Sequence, residues 1–255
     1  MARSTLLTAL VLLLAVSTTG WAQTPTTRAA GSGSPVLNAP TGGDIVLWDQ
    51  TDNNSYYGYN DQDFEAAYDA YDNEGAADFT VTFPNGWDIT QVNIAGFYST
   101  TGPASAVSVA IYPDSGGLPG AAPICDYPSL GTFTDNSGSF SIPLPSSCSV
   151  GPGTYWVAHQ ASVDVLSAGQ HFWFLRTSAV DADGAWRNPG NGFGSGCTDW
   201  VTLTACFDAL FPDFLFQIVG QERAEPVPAI NRVGLALLLA ALMAGSFFIL
   251  RRRSV

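Results

Sequence analysis

Short segments in which large apolar side chains occupy every second position recur through the middle of the chain. Such a period of two places alternate side chains on one face of an extended strand. In residues 106–112, for example, Val107, Val109 and Ile111 share one face. The same kind of pattern predicts about eight strands, at residues 44–48, 79–83, 91–99, 106–112, 139–144, 153–161, 171–176 and 213–220.

Turn-forming residues separate the predicted strands. Glycine occurs with asparagine, proline or serine at residues 84–86, 114–117, 136–138 and 151–153, and these residues favour tight turns. Eight short strands in one domain predict an all-β fold, an antiparallel two-sheet sandwich of jelly-roll-like form. Residues 63–71 are the exception, because Phe64, Ala67, Tyr68 and Tyr71 follow helical spacing and predict a short helix.

The N-terminal segment is typical of a secretory signal. Arg3 precedes a continuous apolar-rich run at residues 6–16, and small or polar residues lead from there to Ala22. This order of a basic start, an apolar run and a small-residue end predicts a signal peptide at residues 1–22. We therefore expect export through the Sec machinery.

The C-terminal segment predicts a membrane anchor. Residues 233–250 carry no charge, and as a helix they would be roughly 27 Å long, close to the ~30 Å hydrocarbon core of a bilayer. The basic residues Arg251, Arg252 and Arg253 follow at once. Because cytoplasmic flanks carry the excess of arginine and lysine, residues 251–255 are predicted to be a cytoplasmic tail. The folded domain then lies on the outer side of the inner membrane.

The last 30 residues resemble a bacterial sorting signal. A hydrophobic residue with proline, Val227-Pro228, is followed by a polar spacer, by Gly234 at the start of the apolar run, and by the terminal arginines. This arrangement is similar to the IPTL-CTERM family, a relative of PEP-CTERM. The resemblance implies recognition by an exosortase-like membrane enzyme, and cleavage near the motif followed by transfer to the cell surface or release.

Composition divides the rest of the chain. Residues 23–43 are rich in Thr, Gly, Pro and Ser and predict a flexible leader. Residues 44–220 form the predicted β-sandwich domain, and residues 221–232 form a tether that contains the sorting motif. Four segments of the domain resemble a group of secreted bacterial β-sandwich domains to which no activity is assigned, at residues 77–81, 117–120, 151–157 and 186–190.

Charge limits the partners. The net charge is −13, the chain contains no lysine, and residues 23–230 hold all 22 acidic residues but only four arginines. A surface of this kind repels phosphate backbones, so nucleic acid is excluded as an expected partner.

The four cysteines, Cys125, Cys148, Cys197 and Cys206, predict disulfides, because an exported chain enters an oxidising compartment. Four cysteines allow three pairings. We favour Cys125–Cys148 and Cys197–Cys206, since each pair encloses one local excursion of the chain. A zinc site is the alternative, but the sequence has no Cys-x-x-Cys motif and only two histidines, His159 and His171. No metal is therefore assigned.

Catalytic motifs are not found in the sequence. Ser195 in Gly192–Gly196 does not occupy the position of a nucleophile elbow, and His159 is expected to pack or hydrogen-bond locally. We assign no catalytic residue and no cofactor. The prediction is a non-enzymatic exported envelope protein, with a secreted hydrolase as the least favoured alternative.

Ten acidic residues and no basic one lie between Asp44 and Asp78. They predict either a solvated acidic face or, less favoured, a structural calcium site. An EF-hand is excluded because Ala66 stands at the glycine position of the loop and Asp72 at the glutamate position.

Aromatic residues suggest a second function. Trp186 and Trp200 lie in segments rich in glycine and asparagine, where their rings are expected to be exposed as readily as buried. Exposed rings of this kind can stack on sugars, since aromatic faces pack against apolar C–H surfaces. The alternative prediction is therefore a carbohydrate-binding module for an envelope or biofilm glycan.

Overall fold

A computed structural model describes residues 24–208 and 210–225. Within these ranges the chain forms seventeen strands, one 3₁₀ turn at Asp69–Tyr71 and one short helix, α1, at Leu203–Phe207. The strands are β1 Arg28–Ala30, β2 Ile45–Asp49, β3 Asn54–Asn60, β4 Gln62–Asp63, β5 Glu74–Val81, β6 Trp87–Ile94, β7 Gly96–Tyr98, β8 Ala106–Pro113, β9 Cys125–Leu130, β10 Thr134–Asn136, β11 Ser139–Val150, β12 Gly153–Ser162, β13 His171–Arg176, β14 Ala185–Arg187, β15 Val201–Thr202, β16 Asp213–Phe214 and β17 Phe216–Glu222.

The strands form three sheets. Sheet A has the order β1-β3-β13-β16, with β7 also paired to β13; sheet B has the order β10-β11-β6-β17-β2. Sheet C has the order β15-β14-β5-β12-β8-β9. All these pairs are antiparallel, and the short β4 adds a parallel pair at the end of β12. The predicted all-β class is confirmed, and the packed antiparallel sheets are consistent with a sandwich.

Sheets A and B meet at a corner. Only Ala95 separates β6 from β7, and only Leu215 separates β16 from β17. At this point the Phe174 backbone N–H donates to Ala95 and its carbonyl accepts from Leu215, at 2.8 and 2.9 Å. The two sheets therefore form one bent layer.

One hydrophobic core lies between this bent layer and sheet C. Phe79 and Val157 reach it from sheet C, Phe140 from sheet B, and Trp173 and Phe214 from sheet A. All five side chains are fully buried. The apolar residues that recur at every second position in the sequence are the ones that face this core. The predicted strands therefore lie near their expected positions. Strand β13 covers residues 171–176, as expected.

Both disulfides join the expected cysteines. Cys125–Cys148 connects β9 of sheet C to β11 of sheet B, so it links the two layers across one edge. Cys197–Cys206 ties the loop after β14 to α1. The favoured pairing is therefore the one found in the structure.

Three sequence-based boundaries need correction. The expected leader at 23–43 contains β1, which pairs with β3 because that strand otherwise has an open edge, and the Asn38 N–H donates to Ser141 at 3.0 Å. The domain also continues past Gly220, since β17 extends through Glu222 beside β6. The helix expected at 63–71 is reduced to the 3₁₀ turn, and the aromatic rings of that segment instead pack with Phe193.

The predicted signal peptide, sorting motif, membrane helix and basic tail lie outside the described residues. In the part of the chain that the structure describes, no helix is long and apolar enough to cross a membrane.

Candidate functional site

The two histidines of the chain meet at one buried carboxylate. Asp61 lies between β3 and β4, His159 lies on β12, and His171 opens β13. The Nδ1 atom of His159 is 2.6 Å from one oxygen of Asp61, and the Nδ1 atom of His171 is 2.6 Å from the other. All three residues are at most 1% exposed. We call this group the histidine cluster.

The contacts of His171 fix its charge. One ring nitrogen faces the Asp61 carboxylate, and the other lies 2.8 Å from the carbonyl oxygen of Gly138. Both neighbours are acceptors, so both nitrogens carry a proton and the ring is a cation. Burial opposes this charge, but the adjacent Asp61 carboxylate and the Gly138 carbonyl together hold the pKa of His171 above its usual value.

His159 is held in the opposite state. It donates through Nδ1 to Asp61, while its Nε2 atom is buried without a hydrogen-bond partner among the described residues. Burial lowers the pKa of His159, and attraction to Asp61 offsets only part of this effect. Burial alone would raise the pKa of Asp61, but the positive His171 and the two N–H donors hold it below its usual value. The cluster is therefore one ion pair with a neutral second donor.

Buried amides surround the cluster and hold its backbone. Gln62 accepts from the His171 N–H at 2.9 Å, and Asn60 donates to the His171 carbonyl at 2.6 Å. Asn73 donates in turn to Asn60, and the Trp186 indole N–H donates to the Asn60 carbonyl at 2.8 Å. Such a network rigidifies a core when nearly all of its members are paired.

Aromatic rings separate the cluster from solvent. The Phe140 ring lies 4.7 Å from His171 and 5.4 Å from His159, and the Trp173 ring lies 5.9 Å from His159. The side chains of Asp61, His159 and His171 are consequently at most 1% exposed. The arrangement does the work of a structural ion pair that connects sheets A and C.

The three side chains of the cluster are also of the types that bind metal ions, and their ligand atoms lie close together. Two ligands of one tetrahedral zinc ion lie roughly 3.4 Å apart, because each is about 2.0–2.2 Å from the metal. The observed 2.6 Å between each imidazole nitrogen and its carboxylate oxygen is the length of a charge-assisted hydrogen bond. The distances therefore fit hydrogen bonds between these atoms, with a proton rather than a zinc ion between each pair.

Several open grooves with polar linings cross the described surface, and two of them differ in charge. The first, which we call the sheet-C groove, has a volume of about 370 Å³ and crosses the outer face of β8 and β12. Arg187 borders it, forms an ion pair with Glu74 at 3.0 Å and lies 4.3 Å above the ring of Trp200. The other polar residues that line it are Asp63, Ser108, Tyr112, Asp126, Ser129, His159, Gln160 and Ser162, and of these His159 is only 1% exposed.

The second groove, which we call the Tyr56 groove, has a volume of about 440 Å³. It lies where the segment before β2 passes the start of β3. Tyr56 is 50% exposed, which is more than any other aromatic residue that the structure describes. The groove is lined by Ser34, Pro35, Leu37, Thr51, Asn53, Asn54, Tyr56 and Gln217.

The tryptophans predicted to stack on sugars are not exposed. Trp186 is 0% exposed, because β14 pairs with β5 and turns this ring into the core. Trp200 is 8% exposed, packs against Tyr112 and is covered on one side by Arg187. The prediction for Trp186 is therefore wrong, and Trp200 offers little free surface.

The acidic segment between Asp44 and Asp78 is not a uniform solvated face. Asp61 belongs to the histidine cluster, and Asp78 is 1% exposed. Burial raises the pKa of Asp78 to about 7, and burial likewise raises the pKa of Asp72 to about 6. Asp61 and Asp78 are therefore buried in the fold, whereas the other acids of the segment are half-buried or exposed.

Sequence reasoning expected His159 to pack or hydrogen-bond locally. The residue is buried and hydrogen-bonded, but its partner, Asp61, lies 98 residues away along the chain. Asp61 was hidden among nine other acids of its segment. The available signal was scarcity: the chain has only two histidines, and both lie on alternating strand segments.

Comparisons with known proteins add no identity. No protein-family model, curated protein or solved structure matches the chain. The function must therefore be inferred from the geometry of this molecule.

Proposed function

We propose that the protein is a non-enzymatic exported protein of the bacterial cell envelope. The observation that carries this proposal is the pair of disulfides, Cys125–Cys148 and Cys197–Cys206. Disulfides persist in oxidising compartments and are rare in the reducing cytosol. They support the export that the N-terminal segment predicts.

The histidine cluster supports the non-enzymatic part of the proposal. General acid–base catalysis most often uses histidine within hydrogen-bond reach of the reacting group. Both histidines of this chain are buried and paired with Asp61. Their chemistry is engaged in the fold.

We further propose a jelly-roll-like arrangement of two layers, with residues 233–250 as the membrane anchor. The bent layer of sheets A and B facing sheet C supports the two-layer arrangement. Val227, Pro228, Gly234 and the three terminal arginines would present the sorting signal to an exosortase-like enzyme at the inner membrane.

Fractionation and intact-mass analysis of the envelope protein test this proposal. The full chain should pellet with membranes, or appear as a form shortened at both ends, and a chain lacking 233–255 should be soluble in the periplasm or medium. A matched variant with Val227→Ala and Pro228→Ala keeps the apolar segment, and should stay in the membrane unprocessed. Retention of the N-terminal 22 residues together with a cytosolic location would overturn the proposal.

Carbohydrate binding is the second candidate function. It is favoured by the two surface grooves, whose lining supplies hydroxyl and amide groups. Binding pockets of ordinary size are about 300–1,000 Å³, and both grooves fall in that range. The ligand would be a glycan of the envelope or of a biofilm.

A further inference from the structure

An irregularity in β3 turns Tyr56 outward. Gly58 pairs with Phe174 and Asn54 pairs with Arg176, so β3 has two more residues than β13 between the same two pairs. Extra residues of this kind form a bulge, which bends a strand and redirects a side chain. The ring of Tyr56 consequently lines the groove instead of packing in the sheet.

The backbone at this bulge is held in an unfavourable conformation. Tyr56 has a φ of 62°, in the left-handed region that a bulky side chain rarely adopts. The side chain of Asn54 accepts from the Tyr56 N–H at 2.8 Å, and Ser55 accepts from the Tyr57 N–H at 3.1 Å. Strained residues of this type cluster at binding sites. Because Tyr56 is 50% exposed, packing in the core does not account for a tyrosine here.

The lining of the Tyr56 groove is uncharged, although the whole chain has a net charge of −13. The eight described lining residues supply hydroxyls, amides and apolar surface, with no acid or base among them. Hydroxyl and amide side chains both donate and accept hydrogen bonds. This is the combination that the hydroxyl groups of an uncharged sugar require.

Neighbouring contacts hold the polar groups in place before any ligand arrives. Gln217 donates to Asp49 at 3.1 Å and accepts from Asn93 at 3.0 Å. Thr51 donates to the other oxygen of Asp49 at 2.7 Å. Both Asp49 oxygens are thus engaged by the lining, and fixed side chains lose little entropy when they bind.

We propose that the Tyr56 groove binds a neutral saccharide, with the tyrosine ring against the apolar face of one sugar. Thr51 accepts from a sugar hydroxyl, because its own proton is given to Asp49. Asn53 and Gln217 each keep one amide hydrogen to donate, since the other is given to Asp52 or Asp49. This inference rests on the second candidate function, carbohydrate binding, and assigns its site. Tyr56 takes the stacking role that the sequence had suggested for Trp186 and Trp200.

The sheet-C groove is less suited to this ligand. Its rim is charged, and its arginine is already paired with Glu74 and covers Trp200. A neutral sugar would have to desolvate these charges without neutralising them, which costs free energy. The two grooves therefore provide an internal comparison.

Calorimetric titration of the exported full chain, in a detergent without a sugar headgroup, tests the assignment. The probes are three neutral hexasaccharides, made of glucose in α-1,4 or β-1,4 linkage or of mannose, and one acidic oligogalacturonate. We expect at least one neutral probe to bind and the acidic one to bind at least roughly tenfold more weakly, because the surface is strongly negative.

Three variants locate the site. Tyr56→Ala should weaken binding roughly tenfold or more, whereas Tyr56→Phe keeps the ring and should stay within about threefold. Asn53 has a φ of 55°, so Asn53→Gly removes the amide without straining the backbone and should cost about threefold to tenfold. Asp126→Ala, an exposed residue of the sheet-C groove, is the matched control and should leave binding unchanged.

Each result decides a different statement. If Asp126→Ala abolishes binding and Tyr56→Ala does not, the groove assignment is wrong while carbohydrate binding stands. If none of the four probes binds to a chain with intact disulfides, the Tyr56 assignment is overturned, and fractionation still decides the export proposal separately. Equal losses in Tyr56→Ala and Tyr56→Phe would also overturn it, because stacking would then play no part.

Discussion

The histidine cluster and the Tyr56 groove use polar side chains in opposite ways. In the cluster, Asp61 and both imidazoles are sealed behind aromatic rings, and five of its six ring nitrogens and carboxylate oxygens have a partner. In the groove, Tyr56 is half exposed, Asn53 is exposed, and Thr51 and Gln217 are half-buried. The two places thus hold polar groups with different degrees of closure.

The difference teaches how to separate structural from binding polar groups in this protein. In the buried ion pair of Asp61 and His171, every ring nitrogen and carboxylate oxygen already has a partner, and the one atom of the cluster without a partner among the described residues, His159 Nε2, is itself buried. A strained tyrosine that stays half exposed leaves surface that the fold does not cover. Substitutions should therefore lower stability at the cluster and alter binding at the groove.

Removing the shared carboxylate is the strongest test of the cluster. Asp61→Ala leaves the His171 cation buried without its counterion, and loss of one partner of a buried pair costs about 3–5 kcal/mol of the free energy of unfolding. Denaturant titration of the full chain measures this loss. Asp126→Ala, an exposed acid, is the control. Equal midpoints for the two variants would contradict a structural role for the cluster.

The two histidines should differ in the size of their effects. His171→Leu leaves a buried carboxylate without a cation, so we expect about 3 kcal/mol of destabilisation. His159→Leu removes one neutral donor and leaves one carboxylate oxygen unpaired, so we expect about 1–2 kcal/mol. Unfolding curves at neutral pH compare them directly. A larger loss for His159→Leu would reverse the assignment of charge within the cluster.

Sequence patterns located the strands because burial on one face is a local, periodic property. Residues 106–112 and 171–176 correspond to β8 and β13, and both disulfides were foreseen from spacing. Strands without clear alternation were missed. One is β3, whose bulge interrupts the period, and another is β9, which is a disulfide-linked edge strand.

The histidine cluster could not be derived in the same way, because its members are 98 and 110 residues apart from Asp61 along the chain. Their meeting depends on how the bent layer faces sheet C, and no local period encodes that packing. The prediction that Trp186 could stack on a sugar was wrong for a related reason. Its glycine- and asparagine-rich surroundings resemble a loop, but pairing of β14 with β5 buries the ring.

The pH dependence separates the two histidines further. His171 has a raised pKa in the folded state, so its stabilisation is complete below its ordinary value of 6.5 and is lost as the pH rises through the folded value. His159 has a lowered pKa, so the stability that it supports is present above pH 6.5 and is lost as the pH falls. The cost of His171→Leu should therefore shrink as the pH rises, and that of His159→Leu should shrink as the pH falls.

Urea midpoints at pH 5, 6.5 and 8 for the two variants and the parent measure these trends. Taking each variant against the parent cancels the contributions of other acids with raised pKa values, such as Asp78. Parallel trends for the two variants would show that both histidines have the same charge, contrary to the contacts of their second ring nitrogens.

The smallest expected effect has the opposite sign and lies at the groove. Tyr56 has a φ of 62°, and the left-handed region costs a residue with a side chain roughly 1 kcal/mol relative to glycine. Tyr56→Gly should therefore leave the free energy of unfolding unchanged or raise it by about 0.5–1 kcal/mol, after allowance for the looser unfolded chain.

Tyr57→Gly is the matched control and should lower stability, because Tyr57 stacks on Phe211 at 5.4 Å and lies beneath Arg28. Thermal and urea unfolding of both variants provide the measurement. A clear loss of stability in Tyr56→Gly would mean that the fold itself needs this ring, and the contrast between a closed structural cluster and an open binding groove would then fail.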